Sequence, residues 1–296
     1  MPEISVIIPA WNRRVLLLEA VDSVRAQTFR DWELVVVDDG STDGSAAAVE
    51  ALADARIRVL RRPHDGNVAV LRNAGATAAR GDWLAFLDSD DLWEPRKLEL
   101  QRSATFAAGA RWSCTGYQLM DDQRRPIPFR AGGSQVRSGR ILRALLAMEV
   151  NVSICTVLVE RALFDELGGF GVAAGREDFD LLLRLAARAP VVAVAEPLVR
   201  AREHPARTTG ALSSPHAASL LVFERFLARE RDPELRRLAH AHSARLLLDG
   251  SRYEAGRGRT GAAGRMLLRS LRHRARPLEW LRALASLTVR VARLRR

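Results

Sequence analysis

The chain is predicted to adopt an α/β fold, a mostly parallel sheet with helices on both faces, followed by an all-helical C-terminal region. Three observations predict it. Short apolar, β-branched runs alternate with segments of helical period from Ile4 to Asp91. Polar loops follow three of those runs, at Ala10–Arg13, Asp38–Asp43 and Asp88–Glu94. After Pro215 only helical periodicity remains. The expected domains are 1–210, which carries those loops, and 211–296, helical and basic.

Ile4 to Pro9 suits a strand buried on both faces. Asn12 is expected to cap a helix whose apolar positions Leu16, Leu17, Ala20, Val21 and Val24 recur at helical spacing. Glu33 to Val37 is the second strand, and Asp43 caps the alanine-rich helix after it. Ile57 to Leu60, Val68 to Ala79 and Trp83 to Leu87 continue as strand, helix and strand, with Gly81 ending the helix. The β-α-β-α-β-α-β order implies parallel pairing. Pro95 to Ala107 reads as a helix, Arg111 to Met120 as a strand, Ser138 to Ala147 as a helix and Cys155 to Val159 as a strand. A short helix through Leu167, a Gly168–Gly171 turn, a helix over Asp178–Arg188 and a strand over Val191–Val194 complete the region. Pro205 to Pro215 reads as a loop; helices are expected at 217–230, 233–253, 260–274 and 278–294.

The net charge is +11, unevenly placed. Pro215 to Arg296 holds 19 arginines and 7 acids, whereas residues 1–214 hold 27 basic and 28 acidic residues. Cys114 and Cys155 are the only cysteines, and their spacing suits neither a metal site nor a disulfide framework. Neither a signal peptide nor a run of about 18 apolar residues is visible, so a cytoplasmic protein is expected.

The apolar run Trp83-Leu84-Ala85-Phe86-Leu87 ends in Asp88, Asp90 and Asp91. Carboxylates at the carboxyl end of a buried parallel strand lie where open α/β sheets bind ligands. Such a cluster suits a hard cation, Mn²⁺ or Mg²⁺, shared with a substrate phosphate. The alternative is a solvated loop whose acids cap the next helix. The GxxxxGK[ST] and GxGxxG motifs are absent, so a P-loop or dinucleotide site lacks its glycines.

Seven segments occur in an order that resembles family 2 glycosyltransferases of the GT-A fold. They are Ser5–Asn12, Val37–Asp43, Arg72-Asn73-Ala74-Gly75, Leu87–Asp91, Gly168-Gly169-Phe170, Glu177-Asp178 and Arg202-Glu203-His204-Pro205. The resemblance implies a metal-dependent, inverting transfer of one sugar from a nucleotide-sugar donor. A UDP-sugar is favoured, and cell-surface glycan or polysaccharide synthesis is the implied setting. Pro9 and Trp11 would line the base pocket, and Asp39 would accept a hydrogen bond from the base. Arg72 would approach the donor phosphates or base, or else lie on a solvated helix face. Asp88 would contact ribose or metal, and Asp90 would ligate the metal. Asp91 would support the site or cap a helix. His204 would ligate the metal, touch the diphosphate or be a plain loop histidine. Asp178 matches the catalytic base, flanked by Glu177; a helix N-terminal acid is the structural alternative.

The processive Gln-x-x-Arg-Trp motif is absent, which implies one sugar per encounter. The acceptor stays open between a lipid-linked glycan, a protein and a small molecule. Two other readings remain: a nucleotidyltransferase, disfavoured because Ala10–Arg14 is not glycine-rich, and nucleic-acid binding through the basic tail, disfavoured by its few aromatics. In the last helix Trp280, Leu284, Leu287, Val291 and Leu294 form an apolar stripe opposite Arg282, Arg290 and Arg293. That pattern makes an anionic membrane surface a candidate partner, with packing of the stripe onto the catalytic domain as the alternative.

Overall fold

The structure is a computed structural model that describes residues 1–128, 137–171, 175–203, 215–273, 277–278 and 280–285. His204, the 205–214 segment, Leu287, Arg290, Val291, Arg293 and Leu294 lie outside the described residues. The chain divides into two compact units, Met1–Pro205 and Ala206–Arg296.

The first half of unit one runs β1 (Ile4–Ala10), α1 (Arg14–Arg25), β2 (Trp32–Asp38), α2 (Ser45–Glu50), β3 (Ile57–Arg61), α3 (Val68–Ala78) and β4 (Trp83–Phe86). The second half adds β5 (Leu92–Trp93), α4 (Lys97–Ala107), β6 (Trp112–Met120), β7 (Pro126–Ile127), α5 (Leu142–Leu146) and a 3-10 turn (Ile154–Thr156). It ends with β8 (Leu158–Glu160), α6 (Arg161–Glu166), α7 (Glu177–Arg188) and β9 (Val192–Arg202). One sheet joins all the strands in the order β3-β2-β1-β4-β8-β6-β9-β5, with β7 on β6. The first four strands are parallel, as their alternation with helices requires. β8 is antiparallel to β4 and β6, whereas β6 and β9 are parallel. β1 and β2 are buried along their whole length, which is why they read as near-continuous apolar runs, interrupted by Ser5 in β1 and by Glu33 and Asp38 in β2.

The departures from expectation are local. Asn12 does not cap α1; its φ is +48° and its side chain serves another loop. The strand expected from Cys155 begins as a turn. There Ser153 accepts the Cys155 N–H, and the Thr156 hydroxyl bonds the Ser153 carbonyl at 2.6 Å, so side-chain bonds displace the ladder. The helix expected over Ser138–Ala147 is confined to Leu142–Leu146, and the one expected from Pro95 begins at Lys97. β9 continues to Arg202, well past Val194. Glu196-Pro197 sits in a register slip opposite Thr115–Tyr117, where a Cβ on Gly116 would meet the Ala195 carbonyl at 2.6 Å.

Unit two contains α8 (Pro215–Arg229), α9 (Pro233–Gly256) and α10 (Thr260–Arg272). Asp232 caps α9 by accepting from Glu234 and Leu235 N–H, with Pro233 in the first turn. Leu248, Leu267 and Ala283 form its apolar centre, and Trp280 and Leu284 pack against it. The Trp280 indole N–H also donates to the Leu267 carbonyl at 3.2 Å. This corrects the expected membrane stripe: its first two members face the unit's own helices.

Candidate active site

β1, β2 and β4 are parallel neighbours, so the loops after them leave the same edge of the sheet. Hydrogen bonds join these loops. The Asp39 N–H donates to the Ala10 carbonyl at 2.9 Å, and Thr42 N–H donates to the Asn12 side chain at 2.8 Å. Asn12 N–H donates to the Ser41 hydroxyl, and Arg14 N–H to Asp43, both at 2.9 Å. Arg13 forms an ion pair with Asp90 across the same edge.

Trp11 and Asp39 lie together, with a partner that sequence reasoning missed. The half-exposed Trp11 indole stacks on His64, with ring centroids 4.3 Å apart and planes 15° apart. His64 Nδ1 is 2.8 Å from the Asp39 carboxylate, which also accepts the Asp65 and Gly66 N–H groups at 2.9 Å. Asp39 is 1% exposed. It therefore holds the 64–66 loop against the β2 edge. Gly40 makes the approach possible: its φ is +72°, and a Cβ there would meet His64 N at 2.9 Å. Pro9 is buried within β1, paired with Val37 of β2. The Pro-His-Asp-Gly run at 63–66 carried a turn signal but no recognisable chemistry.

In the acid loop, Asp88 is partly exposed and Asp90, with its side chain 12% exposed, is paired with Arg13. Asp91 is buried and accepts the Arg202 N–H at 2.9 Å. The Arg202 guanidinium bonds the Asp90 and Asp122 carbonyls and pairs with Glu19 at 2.8 Å. Burial, and then the charges of Asp90 and Asp88, push the Asp91 carboxyl up to about 8. Burial likewise raises the Cys155 thiol, whose sulfur accepts the Asp88 N–H at 3.3 Å. Ligand atoms of Asp88, Asp91 and Cys155 lie within 4.8 Å of one another. Carboxylates crowded so that Asp90 and Asp88 raise the proton affinity of Asp91 fit a hard divalent cation, which would relieve that repulsion. The thiol is the poorly matched member for Mn²⁺ or Mg²⁺.

Arg72 joins this loop to α7. It is 4% exposed, and its guanidinium donates to Asp88 at 2.6 Å and to Glu177 at 3.0 Å. The solvated-face alternative is thus excluded. Neighbouring Asn73 clamps the Gly168-Gly169-Phe170 turn. Its side chain donates to the Phe170 carbonyl at 2.9 Å and accepts the Phe170 N–H at 2.8 Å. Gly75 lets α3 sit against the sheet, since a Cβ there would meet Ile7 at 2.5 Å. Three short motifs far apart in sequence thereby become one packed unit. Asp178 lies beside Glu177 in the first turn of α7 and accepts the Phe179 N–H at 2.7 Å. Its charge adds to those of Asp88 and Glu177 around Arg72.

The family model for glycosyl transferase family 2 matches residues 5–128. The teichuronic acid biosynthesis glycosyltransferase TuaG of Bacillus subtilis is 38% identical over 128 residues, 43% of this chain and 51% of that protein. The UDP-Glc:alpha-D-GlcNAc-diphosphoundecaprenol beta-1,3-glucosyltransferase WfgD of Escherichia coli is 30% identical over 162 residues, 55% of this chain and 62% of that protein. The aligned part spans about half of TuaG and under two thirds of WfgD. In fold, the chain is similar to S. aureus TarS 1–349, solved with UDP-GlcNAc. The TM-score is 0.67 at 19% identity, covering 90% of this chain and 80% of that one. The ordered motifs, the sheet edge that gathers them and these matches lead to one conclusion: residues 5–128 match glycosyl transferase family 2, and the chain is similar to glycosyltransferases over that part of its length.

Proposed function

We propose that the N-terminal unit transfers one sugar from a nucleotide-sugar donor, a UDP-sugar, to an acceptor hydroxyl with inversion at the anomeric carbon. The observation that supports this most is the Arg72 bridge. It ties Asp88, in the loop that would meet the donor diphosphate, to Glu177, next to the carboxylate that would meet the acceptor. Trp11, backed by the stacked His64 ring, would line the base pocket with Pro9, with Asp39 supporting the His64 loop. Asp88 and Asp90 would hold Mn²⁺ or Mg²⁺, while Asp91, anchored by Arg202, shapes the loop beneath them. When bound, the cation supplies positive charge to the leaving diphosphate. Asp90 would exchange its Arg13 partner for that role, leaving the Arg13 cation beside the donor phosphates. Asp178 would take the acceptor proton as the sugar carbon is attacked. One in-line displacement then suffices, and no enzyme nucleophile is required.

The acceptor proposed is a lipid-linked glycan, the class that the name of WfgD gives for that relative. The direct test is incubation with Mn²⁺ and a panel of nucleotide sugars, reading slow donor hydrolysis. Release of UDP from one sugar nucleotide, abolished by chelator, is expected; no turnover of any member would overturn the proposal.

A further inference from the structure

The whole formal charge of the protein resides in its last forty residues. Arg257 to Arg296 contains twelve arginines and one acid, Glu279, which equals the +11 of the full chain. The described part of this stretch has two sides. Ala263, Leu267, Ser270 and Ala283 are buried, and Trp280 and Leu284 pack on the same centre. On the solvent-facing positions of its two helical segments, Leu268 and Leu271 are 64% and 52% exposed, and Leu278 and Leu281 are 72% and 54% exposed. Exposed Arg265, Arg272 and Arg282 lie among them. Leu278, Leu281 and Arg282 stand at i, i+3 and i+4, as do Leu268, Leu271 and Arg272, so each trio shares one helix face.

Three occupants could cover such a face, and charge separates them. A second copy in a two-fold contact would set one arginine cluster against another. Nucleic acid would satisfy the arginines but leave four leucines in water, and Trp280 is turned inward, away from any base. An anionic bilayer answers both features: arginines meet headgroup phosphates, and leucines enter the acyl boundary. We infer that the Leu268–Leu271–Leu278–Leu281 face docks unit two on an anionic lipid surface. This is a different face from the Trp280–Leu284 stripe that helical spacing singles out.

Flotation of the full-length protein with vesicles tests the inference and requires no catalysis, so its outcome is independent of the transferase proposal. Wild-type protein should float with mixed phosphatidylglycerol–phosphatidylcholine vesicles and stay behind with phosphatidylcholine alone. Leu278→Glu with Leu281→Glu should lower vesicle partitioning about tenfold or more, because two side chains that would enter the acyl boundary become charged. Leu268→Glu with Leu271→Glu should do the same. Because these positions are exposed, both variants should keep the wild-type melting temperature and donor hydrolysis. Replacing Arg265, Arg272 and Arg282 by Gln should erase the preference for phosphatidylglycerol. Absence of wild-type flotation, or equal flotation of both leucine variants, would overturn the inference. So would a dimer, or retention on single-stranded nucleic acid, that the leucine changes abolish while wild-type protein ignores vesicles.

Discussion

Replacing Arg72 by Met tests whether a buried ion network holds the two halves of the site together. Burial disfavours the Arg72 charge, but Asp88 and Glu177 outweigh it and raise the pKa above the ordinary arginine value. The Glu177 side chain is 8% exposed, so without Arg72 it becomes a buried charge with its main partner gone. The Asp88 side chain is 33% exposed, and water would compensate part of its loss. Breaking a buried pair from one side costs about 3–5 kcal/mol; the exposure of Asp88 places this case near 3. At about 2–4 °C per kcal/mol for a domain of this size, the melting temperature should fall about 6–12 °C. Scanning calorimetry reads the stability, and donor hydrolysis reads the site. Adding Glu177→Gln removes the stranded charge and should restore part of the loss, a coupling above about 1 kcal/mol in the double-mutant cycle. Arg72→Lys should fall between wild type and Met, since one ammonium cannot reproduce the planar fork. A loss below about 1 kcal/mol, or no recovery with Glu177→Gln, would refute the reasoning.

Other outcomes follow from the same geometry. Asp178→Asn should lower turnover about 10²–10⁴-fold with donor affinity little changed; loss of UDP binding instead would move the base elsewhere, with Glu177 the next candidate. Asp90→Ala should abolish transfer and weaken donor binding in Mn²⁺, measured by calorimetry, and full activity in excess chelator would remove the metal from the mechanism. Asp39→Asn keeps the shape but has only one acceptor oxygen for the Asp65 and Gly66 N–H groups, so UDP affinity should fall while GDP is not gained. Lys97 is wholly buried over the Trp93 ring, its Nζ has no hydrogen-bond partner among the described residues, and burial lowers its pKa to about 7. Because that lies below the ordinary 10.5, the unfolded chain binds more protons between the two values, and stability rises with pH across that window. Lys97→Met should therefore stabilise the protein at pH 7, by about 1–4 kcal/mol, and the gain should shrink toward pH 10.

Much of the N-terminal unit was legible in the sequence, because its signals are local. Buried parallel strands read as near-continuous apolar runs, as Ile4–Pro9 does with Ser5 its one polar residue. The alternation of strand and helix dictates parallel pairing, which sends the loops after β1, β2 and β4 to one edge. Asp43, expected to cap α2, instead sits one residue ahead of the N-cap Gly44, where it accepts the Ser45 N–H at 3.0 Å and the Arg14 N–H at 2.9 Å. Charge asymmetry along the chain needed only counting.

Tertiary structure decided where each polar group is aimed. Arg72 on a helix gives no hint of burial; two carboxylates, one of them 105 residues away, make burial tolerable. Asp39 and Asp38 look alike in sequence, yet only the folded loop puts the Asp65 and Gly66 N–H groups on Asp39. Asp90 and Asp91 are adjacent, and the backbone sends one to Arg13 and the other inward to Arg202 N–H. In the tail, helical spacing marked Trp280 and Leu284 as an apolar stripe, but periodicity does not say which apolar side turns to the core. Patterns along a chain record which residues share a face, whereas hydrogen bonds and ion pairs depend on groups brought close from distant segments, and only the packed fold supplies those distances.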